Sequence, residues 1–277
     1  MLIDTHCHIN MMIKKKFDVL LQPDEFPLTA AIVEEAHHDE VKQIINVGTS
    51  LIESTNCVEL AKKFNACYAA VGIHPNDCTA TWHDDIKEMQ RLWFTTTNNK
   101  QKNNKIVAIG ECGIDRHYPD YNLQRQKDAF KAQIELALEN NLALIVHTRD
   151  APDETLRSLE EFKHETLRGV IHCFSEDQSF ADTAIGFGFV LGIGGTLSYP
   201  KNNILRDVFK KIPLEKIILE TDAPFLPPQS MRGKQNHPKN IKIIAEFLTE
   251  LREEQFEVIA QTTTKTAHKV FDMPSLL

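Results

Sequence analysis

Two histidines one residue apart, His6 and His8, follow a short apolar run at the start of the chain. On a strand, successive side chains alternate between faces, so both imidazoles share one face and Cys7 takes the other. Paired imidazoles can hold a divalent cation. They can equally be solvated groups on an edge strand. Five more polar side chains bear on the choice: His74, Glu111, His147, His172 and Asp222 each stand at the end of an apolar run. His147 or His172 alone would read as a hydrogen-bonded core histidine, and His74 as the end of a strand before Pro75. Carboxylates such as Glu111 and Asp222 beside buried strands are costly unless paired or metal-bound.

The intervals from Glu111 to His147, on to His172 and on to Asp222 are 36, 25 and 50 residues. They exclude a local zinc-finger loop and suit ligands drawn from separate strands. Four histidines, His6, His8, His147 and His172, with Glu111 and Asp222, suffice for two cations sharing a bridging group. In hydrolytic sites such cations sit about 3.5–4 Å apart, activating water and offsetting charge at phosphorus.

The elements that must position these groups follow from hydrophobic periodicity. Strands are predicted over 2–8, 43–48, 68–74, 106–111, 142–147, 169–172, 187–191 and 217–222. Helices are predicted over 30–42, 51–65, 82–94, 123–140 and 152–163, with a last one carrying Ile241, Ile244, Ala245, Leu248 and Leu251. Residues 10–29 read as a long irregular loop, and 95–105 as a solvated one. Gly192, Gly194 and Gly195 read as a tight βα turn without phosphate-loop spacing. Eight alternating βα units in 277 residues predict one (β/α)8 barrel of the TIM type, a single α/β domain over 1–277. A doubly wound open sheet is the alternative. In a barrel, all seven polar residues gather at the C-terminal end of the strands, where active sites are built.

The net charge of -8 argues against a broad basic surface gripping long nucleic acid. It leaves room for a local cationic pocket. No signal peptide or membrane-spanning run is read, so a cytoplasmic chain with no membrane association and no obligate protein partner is expected. The six cysteines contain no Cys-x-x-Cys pair and read as reduced thiols, with Cys112 and Cys173 facing away from the ligand candidates.

With these motifs in view, the chain resembles the TatD family of metal-dependent deoxyribonucleases, within the amidohydrolase-like barrels. The likeness runs through Asp4-Thr5-His6-Cys7-His8, Val71 to Pro75, Gly110 to Asp115, Ile145 to Ala151 and His172 to Ser175. It continues through Gly192 to Leu197, Glu220 to Leu226 and Arg232-Gly233-Lys234. The resemblance implies a hydrolase of phosphodiester bonds in DNA, acting exonucleolytically on short or single-stranded ends with two divalent cations (zinc, magnesium or manganese). It implies His6, His8, Glu111 and Asp222 at one metal, Glu111 bridging to a second held by His147 and His172, and His74 and Arg232 near the substrate phosphate. Asp222 would then accept the proton of the attacking water. The loop 10–29 is longer than the family's, and Arg116 and His117 stand where aromatic residues are usual. Alternatives are a barrel hydrolase of small esters, lactones or amides, and a metal-stabilised binding protein without catalysis.

Overall fold

A computed structural model describes residues 1–94, 105–163 and 165–274. Its eight strands are β1 (Leu2–Cys7), β2 (Val41–Val47), β3 (Cys67–Val71), β4 (Ile106–Asp115), β5 (Ala143–Arg149), β6 (Gly169–Ile171), β7 (Phe189–Ile193) and β8 (Ile217–Leu219). They pair in parallel in chain order, and the round is closed beyond β8: Cys7 bridges Ala223, the His8 amide donates to the Ala223 carbonyl, and the Asp222 amide to that of His6. The architecture is the predicted TIM-type (β/α)8 barrel. The strands are buried on both faces, as all-parallel sheets require. Ile3, Ile45, Val47, Ala70, Ile145, Val170, Val190 and Ile218 form one apolar cluster, and Cys7, Ile44, Ala69, Ile109, Val146 and Ile171 belong to another that includes the helices.

Among the described residues the helices are α1 (Ile9–Lys14), α2 (Phe26–His38), α3 (Leu51–Lys63), α4 (Trp82–Met89), α5 (Leu123–Glu139), α6 (Pro152–Glu160), α7 (Gln178–Gly186), α8 (Asn203–Lys211), α9 (Ile241–Arg252) and α10 (Phe256–Phe271). Local chemistry starts several of them. The Ser50 hydroxyl accepts from the Glu53 amide, the Asn122 side chain from that of Arg125 and the Asp177 side chain from that of Phe180, while Pro152 opens α6. On α5 the buried Phe130, Ile134 and Ala137 lie at helical spacing, as predicted. The sequence reading lacks α7, α8 and α10. α10 carries Thr262 to Thr264 and Thr266, poor helix formers, and packing of Ile259, Ala260, Ala267 and Val270 overrides that propensity.

The reading of 10–29 as irregular is corrected. Ile9, Asn10, Met11 and Met12 are buried in α1, Pro23–Glu25 forms a 3₁₀ turn, and α2 begins at Phe26. Residues 15–22 between them are tied to α3: the Glu53 carboxylate accepts from the Asp18 amide and from Asn10, and Asn56 bonds both Leu21 and Val19. The tract 95–104 lies outside the described residues.

Candidate metal centre

The strand ends deliver the predicted residues to the floor of a cavity of about 610 Å³, whose walls include His8, His74, Glu111, His147, His172 and Asp222. Glu111, on β4, is the hub. Its Oε2 lies 3.4 Å from His6 Nε2 and 4.0 Å from His8 Nε2, and its Oε1 lies 2.8 Å from His147 Nδ1, 3.6 Å from His74 Nε2 and 3.9 Å from His172 Nε2. One carboxylate thus faces five imidazoles and divides them between its two oxygens. Asp222 Oδ1 stands 3.4 Å from His8 Nε2 and 3.8 Å from His6 Nε2. Two Nε2 atoms, those of His6 and His8, approach to 3.2 Å. Ring nitrogens and carboxylate oxygens converging in this way require cations or protons between them, and the imidazole and carboxylate set suits borderline and hard divalent metals. The donors that converge closely enough to hold an ion are His6 with His8 and Asp222, His74 with Glu111 and His147, and His6 with His172 and Glu220.

This grouping differs in two places from that implied by the family resemblance. His74 joins Glu111 and His147 as a third donor, and His172 joins His6, with which its ring stacks at 3.5 Å. Arg232 is not brought to the cavity: it is exposed and lies over the Tyr199 ring at 4.8 Å. Cys112 is buried in the outer apolar cluster as expected. Cys173 does not face away. β6 ends at Ile171, so strand alternation stops before Cys173, which lies in a left-handed turn and lines the cavity.

Three acidic residues near the centre have no role assigned in the sequence reading. Asp115, buried, holds His147 Nε2 at 3.1 Å while Glu111 holds Nδ1, so that ring is gripped at both nitrogens. Its signal was available: Glu111, Gly113 and Asp115 share one strand face once β4 runs on to Asp115. Glu220 lies 2.9 Å from His172 Nδ1 and accepts the Cys173 amide. The ring N–H is not aligned on the carboxylate, so this is a charge contact more than a directed bond. Gly192, read as a turn residue, is inside β7, where a Cβ would collide with the Glu220 carboxylate. Asp4 accepts from the Thr221 hydroxyl and amide and from the His6 amide, tying β1 to the segment that carries Asp222. Burial raises its pKa to about 8. Cavity residues on loops or at the strand rim, Phe17, Tyr118, Arg149 and Phe225, also fall outside the strand-end pattern.

The electrostatics follow from this packing. Burial pushes the Glu111 carboxyl up, and the surrounding histidines outweigh it, leaving the group ionised well below the usual carboxylate range. Burial likewise lowers His172, but the charges of Glu220, Glu111 and Asp222 raise it to about 10. A raised histidine stabilises the metal-free fold fully below its ordinary value near 6.5 and loses that contribution as pH climbs toward about 10. His8 and His147 shift the same way. Chelated protein is therefore expected to lose about 5 °C or more of melting temperature as pH rises across that window, measured by thermal unfolding. Glu220→Gln should flatten the dependence. Because a cation takes the neutral ring, metal addition within the window should release protons, read by calorimetry in two buffers.

The family described as TatD related DNase matches residues 3–272. The chain belongs to the TatD family. An uncharacterized metal-dependent hydrolase of Bacillus subtilis, YabD, is 34% identical over 271 residues, covering 98% of this chain and 99% of the relative. A protein of Pectobacterium carotovorum named as the 3'-5' ssDNA/RNA exonuclease TatD is 29% identical, covering 87% of this chain and 92% of its own length. Among solved structures, the TatD homologue YjjV of Escherichia coli superposes with a TM-score of 0.86 at 29% identity, covering 99% and 98% of the two chains. This TatD-family chain is a metal-dependent hydrolase, and among its described residues no helix is long and apolar enough to cross a membrane.

Proposed function

We propose that this TatD-family chain is a nuclease that hydrolyses phosphodiester bonds at single-stranded DNA ends with two divalent cations. The observation that carries the reading is the division of five imidazoles between the two oxygens of Glu111. One cation would be held by His6, His8 and Asp222, the other by His74 and His147, with Glu111 between them and His172 alongside. Bound cations of this kind lower the pKa of water and offset charge developing on phosphate.

The chain's own residues supply the rest. Asp222 is the carboxylate of the cluster with most access to the cavity, its side chain 16% exposed against 6% for Glu111 and 1% for Glu220. Its carboxyl is raised by burial but held below its ordinary range by His8, His172 and His6, so it is ionised at neutral pH and free to accept the proton of the attacking water. Asp115 and Glu220 hold His147 and His172 in place, as second partners of ligating histidines do. Arg149, on the cavity wall, offers a cation to the phosphate. The soluble role we assign is cytoplasmic.

The test is metal analysis of purified protein coupled to a timed digest of an end-labelled single-stranded oligonucleotide, beside a panel of small esters and lactones. Digestion from one end, stopped by chelation and restored by a divalent cation, is expected. Hydrolysis of esters with intact oligonucleotide would overturn the nuclease reading, and chelation that lowers stability without any activity to lose would overturn catalysis altogether.

A further inference from the structure

A second cavity, also about 610 Å³, adjoins the metal centre and shares Asn76 and Tyr118 with it as common wall. None of the grouped histidines and carboxylates lines it. Its character is different. Tyr118 and Tyr121 stand in it as residues 50% and 37% exposed, although a tyrosine ring gains most when its faces are covered. One cation, Arg125, and one anion, Asp120, leave the wall near neutrality. Asn122 accepts the cap bond of α5 through its side-chain oxygen, and its amide N–H groups have no protein partner among the described residues. The charge lies on the other side of Tyr118. There the Arg149 guanidinium sits 5.8 Å from the Tyr118 ring centroid, with no carboxylate partner among the described residues.

A near-neutral cavity with two partly exposed tyrosine rings, Tyr121 flanked by the Arg116 guanidinium at 5.7 Å and Tyr118 by the His117 ring at 5.3 Å, and a free amide suits a planar heterocycle rather than a phosphate. A boundary arginine suits the phosphate that would join such a ring to the metal centre. Resting on the nuclease reading above, we infer that the second cavity is a nucleobase site: it takes the base flanking the scissile phosphodiester, between Tyr118 and Tyr121, while Arg149 meets the backbone. A base in a duplex has both faces stacked and cannot enter, so the site selects an unpaired end.

The experiment uses the cation-loaded full chain and three single-stranded oligonucleotides: a parent and two in which either nucleotide flanking the terminal linkage is abasic. Hydrolysis of bis(p-nitrophenyl) phosphate, too short to span both cavities, serves as the reference rate for each protein. Wild-type kcat/KM for one of the two abasic substrates is expected to fall about tenfold, the equivalent of ~1.4 kcal/mol of stacking. That tenfold gap should close in Tyr121→Ala and persist in Tyr121→Phe, which keeps the ring. Equal cutting of all three substrates by wild type overturns the base site while leaving the nuclease reading intact. A gap that survives in Tyr121→Ala overturns it as well. Failure of wild type to cut any oligonucleotide while it hydrolyses the small diester overturns the nuclease reading, and the base site with it. The wild-type comparison decides the matter even where a variant does not fold.

Discussion

Glu111→Ala is expected to lower cation-dependent hydrolysis by roughly 10³-fold or more, because it removes the group through which both halves of the centre are coupled. The carboxylate lies within 4.0 Å of five imidazoles, and no other residue described here could replace its two-sided contact. Glu111→Gln separates charge from shape. The amide keeps the volume but presents a neutral group, and on one side a donor, to the histidines. Metal content after dialysis should fall in both variants, whereas a merely structural glutamate would lose stability and keep its metal. The sign of the pH effect is also set. A carboxyl held well below its ordinary 4.5 contributes stability that is present above that value and is lost as pH falls through it toward the folded value. Metal-free Glu111→Gln should therefore be less stable than wild type near neutrality, and the gap should narrow in acid, as measured by denaturant unfolding at several pH values. Full activity and unchanged metal content in a folded Glu111→Ala protein would remove Glu111 from the centre.

Asp222→Ala should reduce kcat by about 10²- to 10⁴-fold, the range for loss of a positioned proton acceptor, with the fold retained. Its segment is fastened from both sides, by the bond from the Asp222 amide to His6 and by the Asp4 clamp on Thr221, so the backbone does not depend on the side chain. Asp222→Asn distinguishes the two duties proposed for this residue. An amide can still approach a cation near His6 and His8 through its oxygen, but it cannot take up a proton. A variant that keeps most of its metal and loses rate assigns the proton transfer. Parallel loss of metal and rate assigns ligation alone. A folded Asp222→Ala enzyme with undiminished activity would overturn both.

Fold class and the positions of the polar strand ends were legible in the sequence, because both rest on local patterns. Apolar runs recurring with helical stretches between them dictate a parallel sheet buried on both faces, and the C-terminal end of such a sheet is where side chains can meet. That pattern alone singled out His6, His8, His74, Glu111, His147, His172 and Asp222 as candidates. Two further residues were within reach of strand periodicity: Asp115 lies on the face of Glu111, and Arg149 two places after His147.

The rest is decided by long-range packing. That residues 9–14 form a helix rather than a loop follows from burial of Ile9, Met11 and Met12, which sequence spacing over six residues cannot signal. Glu220 reaches His172 because β8 stops at Leu219 and Gly192, on the neighbouring strand, leaves the space its carboxylate fills. The assignment of His74 to one group of donors and His172 to another depends on ring positions set by Glu111, Asp115 and Glu220. Tyr118 and Phe17 reach the cavity from irregular segments, where side-chain direction has no period and only the closed barrel brings distant segments to one mouth. Sequence alone thus marked most of the candidate ligands; the tertiary structure decided their grouping and added their neighbours, because contacts between residues far apart in the chain depend on strand ends, turns and gaps that no local pattern encodes.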